Sequence, residues 1–297
     1  MINELYALGQ LAVAGIARGS VYALLAVSFS IVADTVRVWN FASAGVYAIV
    51  AYLVWYLVTN GLALPVGVAL AFVVAAILMV GVDVTVHDPL RRRGATSEII
   101  MVGSITVATL VGGILGLMFG SQSHGYPGNI LDTLYPVGQL VITSWDITAI
   151  LSMIIILAVL GWVLFRTQFG RSIRAYGDNP ELSVVVGSSR NQAHYGAYVV
   201  ASVALVPAAI LVGIHAGVDP GMGLEALLLA SAAAILGGLS NVWAAASGGF
   251  LLGLATELPL LWLSPAWQSP IAFGILLLVV LVRPQGIFGT RVMLRRR

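Results

Sequence analysis

Few side chains in this sequence could carry out chemistry, and their types exclude most catalytic sites. The 297 residues contain no Cys, and all 14 basic residues are Arg, so there is no Lys. Nucleotide-binding P-loops and Schiff-base enzymes both depend on a lysine. The four His residues, at positions 87, 124, 194 and 215, are too scattered for metal-ligand spacing. We therefore expect no catalytic residues, no metal and no cofactor. With a net charge of only +2, we also expect no nucleic-acid partner.

The segment VRVWNFASAG, residues 36–45, is a polar break between two apolar runs and could hold a substrate carboxylate. Asn40 is a favoured helix N-cap, and the free N–H groups at a helix start carry partial positive charge. Ser43 and Gly45 would let a ligand or another helix approach closely. We interpret Asn40, Phe41, Ser43 and Gly45 as candidates for a substrate path. The alternative is a seam of small residues that packs two helices together.

A related segment, VWAAASGG at 242–249, follows the first at an offset of 204 residues. Both contain the pattern Val-Trp-x-x-Ala-Ser-x-Gly at the same place between apolar runs. We interpret this as an internal structural repeat with copies around 20–60 and 224–263. Transporter repeats place the substrate near their interface. The second copy therefore adds three path candidates: Trp243, Ser247 and Gly249.

Four further ionisable residues lie in or beside apolar runs. Acids inside membrane spans are functional candidates by default. For Glu257 we favour a structural role, with the carboxylate bonded to Thr256 or to a backbone group. Arg18 lies in the middle of a run, where it marks a bend or reaches water. Asp219 and Glu225 flank a Gly- and Pro-rich segment that we interpret as a polar turn near the path.

The elements that must position these residues are membrane helices. Hydrophobic residues make up 60% of the chain and charged residues 9%, against about 25% charged in soluble domains. A span needs about 20 apolar residues, and continuous rather than alternating runs indicate helices. We predict an all-α polytopic membrane protein of about eight or nine transmembrane helices, some broken or re-entrant, forming one permease domain over 1–297. The apolar runs are 5–33, 43–59, 62–86, 98–119, 146–165, 195–216, 225–238, 244–263 and 266–282.

Arginine placement predicts which ends of the spans face the cytoplasm. The clusters at 91–93, 166–190 and 283–297 are cytoplasmic by the positive-inside rule. The segment 120–145 lacks Arg and is predicted to be an external loop that is large enough to receive an external partner. The alternative is a solvated connector. The run at 225–238 is short for a span. If it crosses fully, nine spans make the two repeat copies parallel, and if it is re-entrant, the copies are inverted.

A short helix is predicted inside the cytoplasmic loop 166–192. Asp178, Asn179, Pro180 and Glu181 form a strong helix start, with a cap residue, Pro at the first helical position and an acid in the first turn. Leu182 follows within the helix, and Gly187 is a plausible stop. A capped helix at about 180–186 outside the bilayer suits docking into a groove on another protein. The alternative is an ordinary loop that carries arginines.

Several segments, in order, give the chain a resemblance to the permease subunits of branched-chain amino acid ABC importers, the high-affinity Leu/Ile/Val uptake type. The match runs through most of the length, and the segments together are specific although none is so alone. They are GSVYALLAVSFSIV (19–32), NFASAGVYAIVAY (40–52), DPLRRRG (88–94), RTQFGRSIRAYGDNPELSVVVG (166–187), GVDPGMGLEALLLASAAAILGGLSNVWAAASGGFLLG (217–253) and RPQGIFG (283–289).

The resemblance implies a multi-pass subunit of a prokaryotic plasma (inner) membrane that imports branched-chain or similar small amino acids. It implies partners: two separate ABC ATPases docked on the helix at about 180–186, a second permease chain (identical or related) and an extracytoplasmic substrate-binding protein. The family usually has a His, a Gly and an acid after Asn-Phe-Ala, where this chain has Ser43, Ala44 and Gly45. This departure leaves urea, short amides and small carboxylates open as substrates.

Two other function classes remain open from the residues alone. An ion-coupled secondary transporter would pair midplane acids across its repeats. Glu257 aligns with Leu53 at the offset of 204, which weighs against this class. A passive channel for a small solute would need no cytoplasmic docking helix.

Overall fold

A computed structural model describes residues 2–128, 130–138, 140–185, 187, 189–239, 241–283 and 286–288. Within these residues the chain forms twelve α-helices and one two-stranded hairpin, which confirms the all-α prediction. The helices are α1 (Ile2–Val36), α2 (Ser43–Thr59), α3 (Leu64–Val82), α4 (Asp88–Arg92), α5 (Ser97–Phe119), α6 (Ser144–Arg166), α7 (Gln168–Asp178), α8 (Pro180–Val185), α9 (Arg190–Ala216), α10 (Met222–Gly237), α11 (Val242–Glu257) and α12 (Gln268–Val282).

Three short elements complete the description. A π-helical turn, Asp83–His87, joins α3 to α4, and 3₁₀ turns at Leu258–Leu261 and Pro265–Trp267 lie between α11 and α12. Strands β1 (Leu134–Val137) and β2 (Leu140–Thr143) pair antiparallel in the predicted external loop.

Nine of these helices match the nine apolar runs. Seven helical segments of the described chain are long and apolar enough to cross a membrane by themselves. The other two, α2 and α10, have 17 and 16 residues. At a rise of 1.5 Å per residue they span about 24–26 Å, slightly less than the roughly 30 Å hydrocarbon core. The remaining helices, α4, α7 and α8, are short and lie among the arginine clusters.

Contacts at the helix ends fix the direction of the first two spans. The side-chain amide of Gln10, near the start of α1, exchanges two hydrogen bonds of 2.8 and 3.0 Å with the backbone of Val141 in the external hairpin. Beyond the other end of α1, Arg37 donates to the carbonyl of Gly177 in the cytoplasmic segment at 3.1 Å. α2 runs back toward the external side, since Trp55 near its end donates to the carbonyl of Gly125 in the external loop at 2.9 Å.

The two ends of the short helix α10 contact segments that are predicted to lie on opposite sides of the membrane. Before α10, Val218 pairs with His124 of the external loop through two bonds of 2.9 Å. At its end, the amides of Ile287 and Phe288, which follow α12, donate to the carbonyls of Leu236 and Gly237 at 2.8 and 3.0 Å. The start of α10 therefore lies on the predicted external side and its end on the predicted cytoplasmic side. This supports nine spans, with α1–α2 and α10–α11 in the same, parallel order. Beyond residue 288 the third arginine cluster lies outside the described residues.

Helices α1 and α9 form the centre of the bundle. Their most apolar windows are 78% and 72% buried, whereas those of α3, α5, α6 and α12 are at most 22% buried. In a membrane those four helices present their apolar faces to lipid or to another chain. The polar residues on α1 and α9 are therefore the ones that the fold holds away from lipid.

Candidate functional site

A cavity of about 300 Å³ opens between the outer halves of the central helices. Residues of α1, α2, α9 and α10 form its walls, and the first residues of α6 and α12 complete it. The lining combines aliphatic side chains with an unusual share of this chain's few polar groups. The polar members are Arg18, Tyr22, Tyr47, His215, Asp219, Glu225 and Gln268.

An ion pair at one wall of the cavity joins α1 to α11. Arg18 Nη1 donates to Glu257 Oε1 at 2.5 Å, and the Gln268 side-chain amide donates to the same oxygen at 2.8 Å. The Glu257 side chain is 3% exposed and that of Arg18 is 32% exposed. A carboxylate buried in a membrane bundle needs such partners. The Glu257 carboxylate is thus held within the protein by Arg18 and Gln268, while the Arg18 guanidinium reaches the cavity.

This ion pair bears on two sequence-based interpretations. The Thr256 hydroxyl does not bond to Glu257, because it donates to the carbonyls of Leu252 and Gly253 at 3.0 Å. Arg18 is predicted to mark a bend or to reach water; α1 continues as one helix through it, and its side chain is 32% exposed in the cavity lining, in agreement with the second alternative. The signal that could have found the pair was present: one base and one acid each lie within an apolar run, and each needs a counter-charge there.

The remaining polar groups of the cavity differ in how well they are satisfied. Asp219 accepts a hydrogen bond from the Gly221 amide at 2.9 Å. His215 stacks on Trp145, with the ring centroids 4.3 Å apart. The Tyr47 side chain is only 1% exposed, yet its hydroxyl has no partner among the described residues. Asp219 and Glu225 are predicted to flank a polar turn near the path. Asp219 precedes α10, Glu225 lies in its first turn and both line the cavity, while their place near a path stays a prediction.

The break in the first repeat copy satisfies most of its own backbone groups. Asn40 Oδ1 accepts from the freed amide of Ala42 at 3.1 Å, as expected of a capping side chain, but α2 begins at Ser43 with Ala42 in the N-cap position. The Phe41 amide donates to the Ser104 hydroxyl at 3.0 Å, and the Ser43 hydroxyl donates to the Asn40 carbonyl at 2.6 Å. These bonds leave little of the helix start free for a substrate carboxylate.

The other path candidates lie in contacts between helices. Gly45 faces Val111 of α5, and a Cβ at Gly249 would collide with the backbone of Tyr22 and Ala23 on α1. The Ser247 hydroxyl donates to the Ala244 carbonyl at 2.7 Å, and Trp243 lies against Gly161 of α6. None of the seven candidates lines the cavity described above. Their assignment to the substrate path stays a prediction.

The two repeat copies also break their helices differently. In the second copy Asn241 is the N-cap of α11 and accepts from the Trp243 amide at 2.9 Å. At the sequence offset of 204, Ser43 at the start of α2 corresponds to Ser247, but α11 already begins at Val242. Each region consists of two helices separated by a break, α1 and α2 in one and α10 and α11 in the other. The internal repeat stays a prediction.

The cytoplasmic segment contains the predicted short helix. Asn179 Oδ1 accepts from the Leu182 amide at 3.1 Å, and Pro180 is the first helical residue. α8 ends at Val185, residue 186 lies outside the described residues, and Gly187 adopts a φ of +97° while its amide donates to the Val184 carbonyl. Three apolar side chains of this helix are more than half exposed: Leu182, Val184 and Val185.

A second polar cluster fastens the cytoplasmic ends of α3 and α9 together. Arg91 donates to Asp83 Oδ1 at 2.6 Å and to His194 Nδ1 at 3.1 Å. Tyr198 donates to the same Asp83 oxygen at 3.2 Å, and His87 Nδ1 lies 2.9 Å from the Tyr198 hydroxyl. We call these five residues the inner cluster. His194 also packs edge-on against Tyr176 of α7, so the cluster adjoins the cytoplasmic segment.

Comparison with known proteins agrees with this architecture. Residues 11–281 match the family described as branched-chain amino acid transport system / permease component. The chain is 29% identical over 300 residues to the high-affinity branched-chain amino acid transport system permease protein BraD of Pseudomonas aeruginosa, covering 96% of this chain and 97% of BraD. It is 27% identical over 290 residues to LivH of Escherichia coli, covering 93% of each chain.

A more distant relative is the probable branched-chain amino acid transport permease protein LivH of Methanocaldococcus jannaschii, 25% identical over 285 residues and 90% of this chain. No solved structure matches this chain. With seven helices long and apolar enough to cross a membrane among its described residues, the chain is a multi-pass inner-membrane transport subunit and not an enzyme. Because the family match covers most of its length, the chain belongs to the branched-chain amino acid transport-system permease family.

Proposed function

We propose that this chain translocates branched-chain amino acids into the cell, driven by separate ATPase subunits that dock on α8. Family membership implies ATPase and substrate-binding partners. The observation that carries the proposal is α8 itself, a capped helix outside the bilayer with exposed Leu182, Val184 and Val185. Exposed apolar side chains on a short cytoplasmic helix are what a groove on a partner protein would bury.

The segment that bears α8 is tied to the spans. Arg37, just beyond α1, donates to the Gly177 carbonyl at 3.1 Å, and Arg174 donates to the Leu164 carbonyl of α6 at 2.9 Å. Tyr176 contacts His194 of α9. A displacement of α8 by an ATPase would therefore reach α1, α6 and α9 through direct contacts. ATP energy enters because the ATPase pair binds one orientation of these helices better than the other.

The proposed assembly has two ATPases and two permease chains, either identical or related. The external loop supports a further contact with the substrate-binding protein, because the hairpin β1–β2 is held against α1 and exposes Leu134 and Tyr135. These two side chains are adjacent in β1 and point to opposite faces of the hairpin, and a partner would reach both from the external side.

We further propose that the break before α2 borders the path below the cavity. Ser43 and Tyr47 are four residues apart and so share one face of α2, and Tyr47 lines the cavity. The Asn40 amide nitrogen is buried without a partner among the described residues. A Ser43→His variant should therefore alter which amino acids are carried. Unchanged selectivity would leave the stretch as a packing seam.

The main test uses the complex reconstituted in liposomes with its ATPases and binding protein. Leu182→Asp should lower both ATPase retention in a pull-down and ATP-driven leucine uptake by tenfold or more, because a charge in the docking face must be desolvated (an order-of-magnitude expectation). The matched control is Leu62→Asp, an exposed leucine in the turn between α2 and α3 on the external side. Normal uptake by Leu182→Asp, or by a chain lacking 178–187, would refute the docking role.

The same liposomes separate this proposal from its rivals. An importer of the ABC type stops when ATP is withdrawn and continues in an uncoupler. An ion-coupled transporter shows the reverse, and a channel responds to neither treatment. Glu257 gives no support to the ion-coupled class, because Arg18 compensates its charge. Uptake of urea or a small carboxylate in place of leucine would overturn the substrate assignment alone.

A further inference from the structure

The cavity in the outer half of the bundle has the size and wall chemistry of a site for a small solute. Its volume, about 300 Å³, lies at the lower end of the range of roughly 300–1,000 Å³ for ligand pockets. Aliphatic side chains from three helices line it, among them Val21, Leu25, Val212 and Leu229. Such walls suit the apolar side chain of a ligand.

One end of the polar lining suits a carboxylate. Arg18 uses Nη1 for Glu257, and no other acceptor among the described residues bonds to the guanidinium. A guanidinium has five donors in a planar fork that matches a carboxylate. Because Glu257 is 3% exposed and also accepts from Gln268, it fixes Arg18 in place without occupying the cavity.

The other polar groups suit an ammonium. Glu225 is exposed in the cavity lining, and no described residue donates a hydrogen bond to its carboxylate. Asp219 adds a second negative charge, so the lining has two carboxylates against one guanidinium. Glu225 follows Met222 by three residues and precedes Leu229 by four, so α10 turns all three toward the cavity. An excess of negative charge disfavours a simple carboxylate and favours a ligand that also has a positive group.

A buried hydroxyl in the cavity lining has hydrogen-bonding capacity left for a ligand. The Tyr47 side chain is 1% exposed, its hydroxyl has no partner among the described residues, and it lines the cavity. Buried polar groups are otherwise hydrogen-bonded in proteins. A ligand in the cavity would supply the missing bond.

We propose that this cavity is the seat of an α-amino acid with an aliphatic side chain during translocation, with Arg18 on the α-carboxylate and Glu225 on the α-ammonium. The proposal rests on the proposed function, because it locates within this chain the amino acid that the importer carries. It also explains why Arg18 reaches the cavity although Glu257 already balances its charge.

The test measures direct binding of radiolabelled leucine to the detergent-purified complex without the binding protein. Competitors are leucinamide, which lacks the carboxylate, and 4-methylpentanoate, which lacks the ammonium. In the wild type both should compete at least about tenfold more weakly than leucine, since each forgoes a charge-assisted hydrogen bond. Glu225→Gln should weaken leucine binding by about tenfold and make 4-methylpentanoate an equal competitor.

The converse change removes the carboxylate contact. Because Arg18→Gln alone leaves Glu257 unpaired, the double variant Arg18→Gln/Glu257→Gln is used, and in it leucinamide should compete as well as leucine. Glu98→Gln, an exposed acid at the start of α5 away from the cavity, is the matched control. A merely structural role would lower all affinities together and would not exchange the preferred competitor.

Two results overturn the proposal in distinguishable ways. If both variants bind leucine and the competitors as the wild type does, the seat is refuted while ATP-driven uptake in liposomes still supports the importer. If the wild-type complex takes up no amino acid under ATP, the proposed function fails and the seat fails with it.

Discussion

Two groups of polar side chains lie inside this apolar bundle, one in the outer half and one near the cytoplasm. The outer group, Arg18, Glu257 and Gln268, adjoins a cavity and leaves most donors of the guanidinium unused. In the inner cluster Asp83 is 2% exposed, and its one oxygen Oδ1 accepts from both Arg91 and Tyr198. The first arrangement has capacity left for a ligand. The second joins α3 to α9, and its two atoms without a partner among the described residues, Arg91 Nε and His87 Nε2, are buried and do not line that cavity.

The contrast suggests how to read ionisable residues in a membrane chain. Burial alone does not distinguish a site from a brace, because Glu257 and Asp83 are both almost fully buried. What differs is whether the arginine that pairs with the acid has unused N–H donors facing a cavity. Substitutions in the inner cluster should therefore affect folding, and substitutions in the outer group should affect ligand binding once the charge balance is kept.

The largest effect is expected for Asp83→Ala in the inner cluster. Removing this carboxylate leaves Arg91 without its counter-charge and Tyr198 without its acceptor, and breaking a buried pair costs about 3–5 kcal/mol. Thermal unfolding of the purified chain in detergent should shift sharply downward, or the variant should fail to accumulate. A melting temperature equal to that of the wild type would show that the cluster is not a brace.

The next largest effect is expected for the pair of Arg18 and Glu257. Here a double variant separates a role in stability from a role in ligand binding. Arg18→Gln leaves Glu257 buried and uncompensated and should destabilise the chain by about 3 kcal/mol. Adding Glu257→Gln removes the orphan charge and should restore much of the melting temperature. In the inner cluster, Asp83→Asn/Arg91→Gln should recover far less, because His87, His194 and Tyr198 lose their shared partners. Equal recovery in the two clusters would remove the distinction between them.

A smaller effect is expected at Gly249, where α11 packs closely against α1. A Cβ at Gly249 would meet the backbone of Tyr22 and Ala23 on α1, and backbone cannot move aside as a flexible side chain can. Gly249→Ala should therefore cost about 1–3 kcal/mol, the range for an overpacked core. Gly274→Ala in α12, where nothing lies within 4 Å, is the matched control. Stability unchanged at Gly249 would favour its predicted place beside the substrate path.

Much of the fold could be predicted because each span is a local feature. The run 43–59 coincides with α2, and the capping residues at 178–181 placed the start of α8. Continuous apolar runs and caps act within a few residues, so they can be read without tertiary information.

The site could not be read in the same way. Arg18 and Glu257 are 239 residues apart, and periodicity does not tell which faces of two apolar helices meet. The repeat drew attention to Asn40 and Gly249, which lie where helices break and cross, and their place beside a substrate path stays a prediction. Tyr47 lies in an apolar run that gives it no distinguishing pattern, and only the fold places its hydroxyl, without a partner among the described residues, beside the cavity.

The smallest effect is expected for the ion pair next in sequence to the inner cluster. Arg92 and Asp88 are bonded at 2.8 Å one turn apart on α4, but the Arg92 side chain is 77% exposed. Water screens such a pair, and exposed pairs contribute at most about 1 kcal/mol. Asp88→Asn should therefore leave the melting temperature nearly unchanged and should respond weakly to added salt, although Asp83 lies only five residues earlier. A loss as large as that of Asp83→Ala would mean that charge at this end of the bundle, and not burial, sets the stability of the inner cluster.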